Sequence, residues 1–222
     1  MIERNIQYFD NPFEHVVIDN FFDKEDYEFC LQGLNEKKEL GIWNSTDKVR
    51  KRKLKKDLFD YKKDTNERFA KYFELIDSLD SIKIDPEKEY TSEYVYSLRL
   101  KDENFPEYPL HTENIYKAIT VVVYMSEEPN CGTELYDNNK KFVKEIEWKN
   151  NRAFIMSGYN NQKGRLPGNS TWHTYRSAPG KIRKSFFGYT LSSLDSIKNH
   201  SLYEDYYVKG YNNNAIKINK DR

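Results

Sequence analysis

The chain has 222 residues, with 36 basic side chains balanced by 36 acidic ones, and a mean hydropathy of −0.94. That length suits one domain with a sizeable core, and the balanced charge gives no global field to attract nucleic acid or an anionic membrane. Two cysteines, Cys30 and Cys131, exclude a disulfide framework and a thiolate metal centre.

Eighteen tyrosines and 13 phenylalanines supply the apolar bulk of a folded domain. Met1 to Gln7 lack the basic-then-apolar order of a signal peptide. No apolar run approaches the roughly 20 residues of a membrane span. A cytoplasmic protein is therefore expected.

Residues 12–22 predict an opening strand centred on His15-Val16-Val17-Ile18. Asp23 follows as an N-cap, and Asp26 favours a helix start electrostatically. Tyr27, Cys30, Leu31 and Leu34 recur at helical spacing, which predicts an amphipathic helix over 24–38. The run 48–56 is basic at seven of nine positions. Without Gly-Arg or aromatic interleaving it reads as a solvated face, and nucleic-acid dealkylation is a minor alternative. A second helix is expected over 66–79, with Phe69, Tyr72, Phe73 and Ile76 on one face.

Beyond Pro86 the elements become short and rich in β-branched and aromatic residues. Strands are expected at 90–100, 118–125, 132–136, 142–148, 152–157, 171–177 and 183–192. Ile119 to Tyr124 is apolar nearly throughout, as a strand covered on both faces would be. Asn130 to Gly132, Asn138-Asn139, Asn160 to Gly168 and Pro179-Gly180 supply the breaks. Helices first and strands after predict an α+β, mainly β domain, a jelly roll supported by N-terminal helices. Its expected bounds are 1–194, with helical support over 1–86 and the core over 87–194. Residues 195–222 form a polar extension.

Chemistry concentrates in the second half. On a strand, residues i and i+2 share a face, so His111 and Glu113 can aim two ligands into one cavity while Thr112 turns away. His173 offers a second imidazole from a separate strand. Two imidazoles and a carboxylate with open positions are the facial set of non-haem Fe(II) oxygenases. Ten residues after His173, Arg183 supplies a rigid fork suited to a carboxylate of a dicarboxylic co-substrate. Ser185, two residues on, shares its strand face. Alone, each residue reads more simply: a polar loop histidine, a solvated acid, a surface arginine in a weak ion pair. Their order and spacing together favour the metal site. His15 and His200 fall outside the set and read as structural or surface residues.

The stretch from about Tyr90 to Ser192 resembles the catalytic core of the 2-oxoglutarate/Fe(II)-dependent oxygenases, in particular the small prolyl-hydroxylase-like branch. The likeness lies in Leu110-His111-Thr112-Glu113-Asn114, the Thr-x-x-x-Tyr strand from Thr120 to Tyr124, Cys131-Gly132-Thr133-Glu134-Leu135-Tyr136, Thr171-Trp172-His173, and Arg183-Lys184-Ser185. It implies a distorted double-stranded β-helix. It also implies Fe(II) on His111, Glu113 and His173, 2-oxoglutarate as co-substrate, and O2. Arg183 and Ser185 would anchor the distal carboxylate, with Tyr124 beside it and Thr120 on the same face. Most of the family carries HxD; Glu113 is one methylene longer, which asks for a different rotamer.

The implied reaction is hydroxylation coupled to decarboxylation of 2-oxoglutarate to succinate and CO2. The substrate is open between small molecules and peptidyl residues. Loops 102–108 and 159–170 bracket the histidine segments, and Tyr159 and Arg165 are candidate substrate contacts. Two competing readings are a non-catalytic jelly-roll binding module and a cupin-type metalloenzyme without 2-oxoglutarate. The latter leaves Arg183 and Ser185 unexplained.

Overall fold

The computed structural model describes residues 3–39, 68–76, 78–79, 90–101, 107–112, 117–157 and 171–192. Glu113, Tyr159, Arg165, the basic run 48–56 and the extension 195–222 lie outside the described residues, as do most of the candidate substrate loop 102–108 and all of 159–170.

Nine strands and two helices make up the described chain. The strands are β1 (Asn5–Phe9), β2 (His15–Asp19), β3 (Tyr90–Lys101), β4 (Lys117–Tyr124), β5 (Thr133–Tyr136), β6 (Phe142–Ile146), β7 (Ala153–Ser157), β8 (His173–Tyr175) and β9 (Arg183–Ser192). The helices are α1 (Lys24–Glu39) and α2 (68–76). Each strand expected from composition has a counterpart within a few residues. β1 was not expected: Asn5-Ile6-Gln7-Tyr8-Phe9 is too polar to stand out, and only its pairing with β2 makes it a strand.

The major sheet has the order β1-β2-β7-β4-β9-β3 and the minor sheet β6-β5-β8, with every pairing antiparallel. The two-residue alternation of strands divides the major sheet into two faces. Val16, Ile18, Leu98, Val121, Val123, Ile155 and Phe186 join Tyr27, Cys30, Leu34, Phe69 and Ile76 of the helices in the larger core. Val17, Tyr124, Phe154 and Met156, from the opposite face, pack with Leu135 and Ile146 of the minor sheet. The sheets therefore meet face to face, with the helices behind the larger one.

Helix docking depends on close fit and on charge. A Cβ on Gly188 would lie 2.9 Å from the Phe73 ring, so its absence lets α2 settle onto β9. Buried Asp26 receives Arg68 at 2.8 Å, Lys71 at 2.8 Å and the Tyr72 hydroxyl at 2.6 Å. Burial works to raise its pKa, but the hydrogen bonds from these groups outweigh it and hold the carboxyl below its ordinary value. Asp23 does more than a cap: its carboxylate pairs with Arg4 and Lys71, both across the tertiary fold. No helix among the described residues is long and apolar enough to cross a membrane.

Candidate active site

The mating of the two sheets leaves a cavity of about 160 Å³, lined among others by Arg99, Lys101, His111, His173, Arg183 and Ser185. A dry cavity of about 150 Å³ holds benzene, so the space suits a small organic molecule.

His173 opens β8, and its backbone pairs with that of His111 in an isolated bridge. The bridge sets the rings 4.2 Å apart, centroid to centroid, inclined by 51°. Metal–imidazole bonds are about 2.1 Å, so two rings bound side by side on one ion have centroids roughly 4–5 Å apart. The observed spacing meets that test.

The tautomers meet it too. His111 Nδ1 lies 2.9 Å from the Pro109 carbonyl, and His173 Nδ1 2.7 Å from that of Thr171. A carbonyl can only accept, so each Nδ1 carries the proton and each Nε2 carries the lone pair. This is how metal-ligating histidines are commonly oriented. Among the described residues no group of three potential ligands occurs, and Glu113 lies outside them.

Arg183 opens β9 on the inner face and is 2% exposed. Its NH1 donates to the carbonyls of Cys131, Gly132 (3.2 Å) and Arg176 (3.5 Å). The guanidinium carbon lies 5.3 Å from the centroid of Tyr124, 4.9 Å from Trp148 and 5.0 Å from Tyr175. Among the described residues no carboxylate pairs with it. Burial pushes its pKa down, with the neighbouring tyrosines opposing, yet a guanidinium stays charged. Effective desolvation of an ion costs several kcal/mol, whereas a cation–π contact returns about 0.5–2 kcal/mol. Aromatic rings and carbonyls position this charge without neutralising it, which makes the pocket electrostatically suited to an anion.

Ser185 is buried and lines the same cavity. Tyr124 lies across from it in register, behind Arg183. The Tyr124 hydroxyl is 2.8 Å from Thr133 Oγ1 and 3.2 Å from the Ile146 carbonyl, and its ring stacks on Trp148 at 4.5 Å. Tyr124 thus acts as a wall for Arg183 and does not line the cavity. Thr120 does not join them. It pairs with Tyr189, six residues beyond Arg183 on β9, and strand rise puts that roughly 20 Å away. Its buried hydroxyl has no hydrogen-bond partner among the described residues.

Several lining residues escaped sequence reasoning. Arg99 and Lys101 alternate with buried leucines on β3, a polar inner face visible in Ser97-Leu98-Arg99-Leu100-Lys101. Tyr108 stacks on Tyr175 at 4.9 Å and meets the His111 ring edge-on at 4.7 Å. The sequence marked it only as the end of loop 102–108; its place beside His111 follows from the hydrogen bond of its N–H to the Tyr175 carbonyl, at 2.7 Å.

Among solved structures, the chain is similar to a Pseudomonas putida prolyl-4-hydroxylase, at 10% identity over 81% of this chain and 88% of that one, with a TM-score of 0.46. It is also similar to a viral collagen prolyl hydroxylase from Paramecium Bursaria Chlorella virus-1. A truncated form of that protein gives 14% identity over 81% and 90% of the two chains, TM-score 0.42. A 2OG complex gives 12% identity over 81% and 96%, TM-score 0.40. No protein-family model matches the chain, and no curated protein matches it. These likenesses are in broad outline.

Proposed function

We propose that the protein is an Fe(II)- and 2-oxoglutarate-dependent dioxygenase, a hydroxylase built on a double-stranded β-helix. The observation that carries this reading is the pairing of two sites in one cavity. Two Nδ1-protonated histidines stand at metal-binding spacing, beside a buried arginine that no carboxylate among the described residues neutralises. A cupin-type metal site accounts for the histidines but gives Arg183 no task, and a binding module accounts for neither tautomer.

His111 and His173 would hold the iron through Nε2, with Glu113 as the third ligand. When bound, iron and 2-oxoglutarate supply an oxidant from O2, releasing succinate and CO2. The chain's own contribution is positional. Arg183 and Ser185 grip the distal carboxylate, Tyr124, Trp148 and Tyr175 fix the guanidinium, and the apolar wall of Val122, Phe154 and Phe187 limits access of water. The substrate is a small molecule or a peptidyl residue, with a cytoplasmic location.

The test is an anaerobic titration of the Fe(II)-loaded protein with 2-oxoglutarate, followed by visible absorption. A saturable charge-transfer band supports the reading. Bound iron without the band favours a cupin-like enzyme, and no iron binding favours a non-catalytic module.

A further inference from the structure

β8 is three residues long, and two of them face the cavity. His173 and Tyr175 lie two positions apart and so share a strand face. Thr174 between them turns away, and its hydroxyl donates to the Tyr108 carbonyl. One short strand thus carries both an imidazole of the histidine pair and a ring of the Arg183 cage.

Tyr175 touches both halves of the site. The Arg183 guanidinium carbon lies 5.0 Å from its ring centroid. The same ring stacks on Tyr108, with centroids 4.9 Å apart and planes inclined by 9°. Tyr108 meets the His111 ring edge-on at 4.7 Å, and His111 lies 4.2 Å from His173. The Tyr108 N–H donates to the Tyr175 carbonyl at 2.7 Å, which fixes the two tyrosines through their backbones as well. Contacts therefore run unbroken from the guanidinium to the imidazole pair.

The other two walls of Arg183 are anchored elsewhere. Tyr124 and Trp148 stack on each other at 4.5 Å; the Tyr124 hydroxyl donates to Thr133 Oγ1 at 2.8 Å, and the Trp148 indole N–H to the Ser126 carbonyl at 3.0 Å. Stacked and edge-on ring pairs each prefer a definite geometry, and closely packed side chains transmit displacement to their neighbours. If the Tyr175 ring left its place, the guanidinium would lose a wall and Tyr108 its stacking partner. The His111 ring would then lose its backing.

We infer that Tyr175 is a positioning residue for both halves of the site. Its ring sets the guanidinium that receives the co-substrate and, through Tyr108, the imidazole that would hold the iron. This rests on the co-substrate reading and adds to it the residue that keeps the two binding places in register.

The experiment uses the full-length chain with Tyr175→Leu, Tyr175→Phe and Trp148→Leu, checked for folding by circular dichroism. Anaerobic calorimetry without 2-oxoglutarate gives the Fe(II) dissociation constant, and the absorption titration at saturating Fe(II) gives that of 2-oxoglutarate. In Tyr175→Leu both constants should rise about fivefold or more. Tyr175→Phe keeps the ring and should hold both within about twofold. Trp148→Leu removes a wall anchored through Tyr124 and Ser126, so the 2-oxoglutarate constant should rise while Fe(II) affinity stays within about twofold. If Tyr175→Leu does not fold, Tyr108→Leu takes its place: it leaves the walls of Arg183 standing, and Fe(II) binding should weaken about fivefold or more. Unchanged Fe(II) affinity in the leucine variant would make Tyr175 a wall of Arg183 alone and overturn the inference, as would unchanged 2-oxoglutarate affinity in Tyr175→Leu. Loss of both affinities in Tyr175→Phe would put the effect in the hydroxyl and overturn it. Equal weakening of Fe(II) binding in Trp148→Leu would mark general loosening, with the same consequence. In each of these cases the 2-oxoglutarate band of the unsubstituted protein leaves the co-substrate reading standing. Absence of that band would overturn the co-substrate reading, and this inference with it.

Discussion

His111 and His173 hydrogen-bond through their main chains in both directions, His111 N to His173 O at 3.1 Å and His173 N to His111 O at 2.9 Å. Ring spacing is thereby set by the backbone, and each Nδ1 is tied to the carbonyl two residues before it. The pair is organised before any ion arrives, and binding need not draw two remote segments together.

In the proposed metal site, replacing either histidine should therefore abolish metal binding with little effect on the fold. In His111→Ala and His173→Ala, Fe(II) affinity should fall by more than about 100-fold, since even outer-shell changes cost 10- to 100-fold. Anaerobic calorimetry with Fe(II) checks this, with circular dichroism as the control for folding.

Arg183→Lys separates charge from shape. Lysine keeps the positive charge and loses the planar fork that Tyr124, Trp148 and Tyr175 hold in place. The 2-oxoglutarate dissociation constant should rise at least about tenfold, with Fe(II) affinity close to unchanged. Equal 2-oxoglutarate affinity in the two proteins would remove Arg183 from the site.

Gly132 connects the turn to the anion site. A Cβ there would lie 1.8 Å from the Ile146 carbonyl oxygen, a backbone atom that cannot yield without parting β5 from β6. The Gly132 carbonyl also accepts from Arg183. Gly132→Ala should lower stability by about 2–4 kcal/mol, in the range of overpacking and strain effects, and weaken 2-oxoglutarate binding as well. Denaturant melts and the absorption titration read the two effects separately.

His15 predicts an acid limit to stability. It is 1% exposed between Phe9, Phe13 and Phe154, and its Nε2 has no hydrogen-bond partner among the described residues. Burial lowers its pKa from 6.5 to about 4. The folded state holds the neutral ring, so the unfolded state binds the extra proton as pH falls below 6.5. Stability should drop through the window from 6.5 to 4, by roughly 2 kcal/mol at pH 5. In His15→Phe the loss of Tm between pH 7 and pH 5 should shrink. An unchanged slope would remove His15 from the acid limit, because the depressed carboxyls of Asp26 and Asp19 release their stabilisation only at lower pH.

The parts legible in the sequence were those governed by local pattern. The alternating and apolar runs of β4, β7 and β9 marked strands, and Phe69, Tyr72, Phe73 and Ile76 marked the inner face of α2. The order His111, His173, Arg183 marked the cavity because all three open or adjoin strand starts. What stayed hidden depends on register. Thr120 shares a face with Tyr124, yet distance along the strand removes it from the anion site, and the alternation of a single strand carries no such distance. Arg99 and Lys101 acquire meaning only once β3 is known to lie beside β9. Tyr124, expected at the co-substrate, has its hydroxyl engaged by Thr133 and the Ile146 carbonyl across the sheets, a contact no sequence window contains.

The two halves of the site rest on sheets of unequal protection. Arg183 belongs to a strand flanked on both sides, in a sheet with helices on one face and the second sheet on the other. His173 belongs to a three-residue edge strand of the smaller sheet, where Phe142 of β6 is 57% exposed. Amide exchange should accordingly be fast around His173 and slow around Ser185 to Phe187. As the protein loosens, the His111–His173 end should yield first while the aromatic cage of Arg183 persists. For the proposed oxygenase, loss of metal and loss of fold would then be distinct events on heating, and inactivation would precede unfolding.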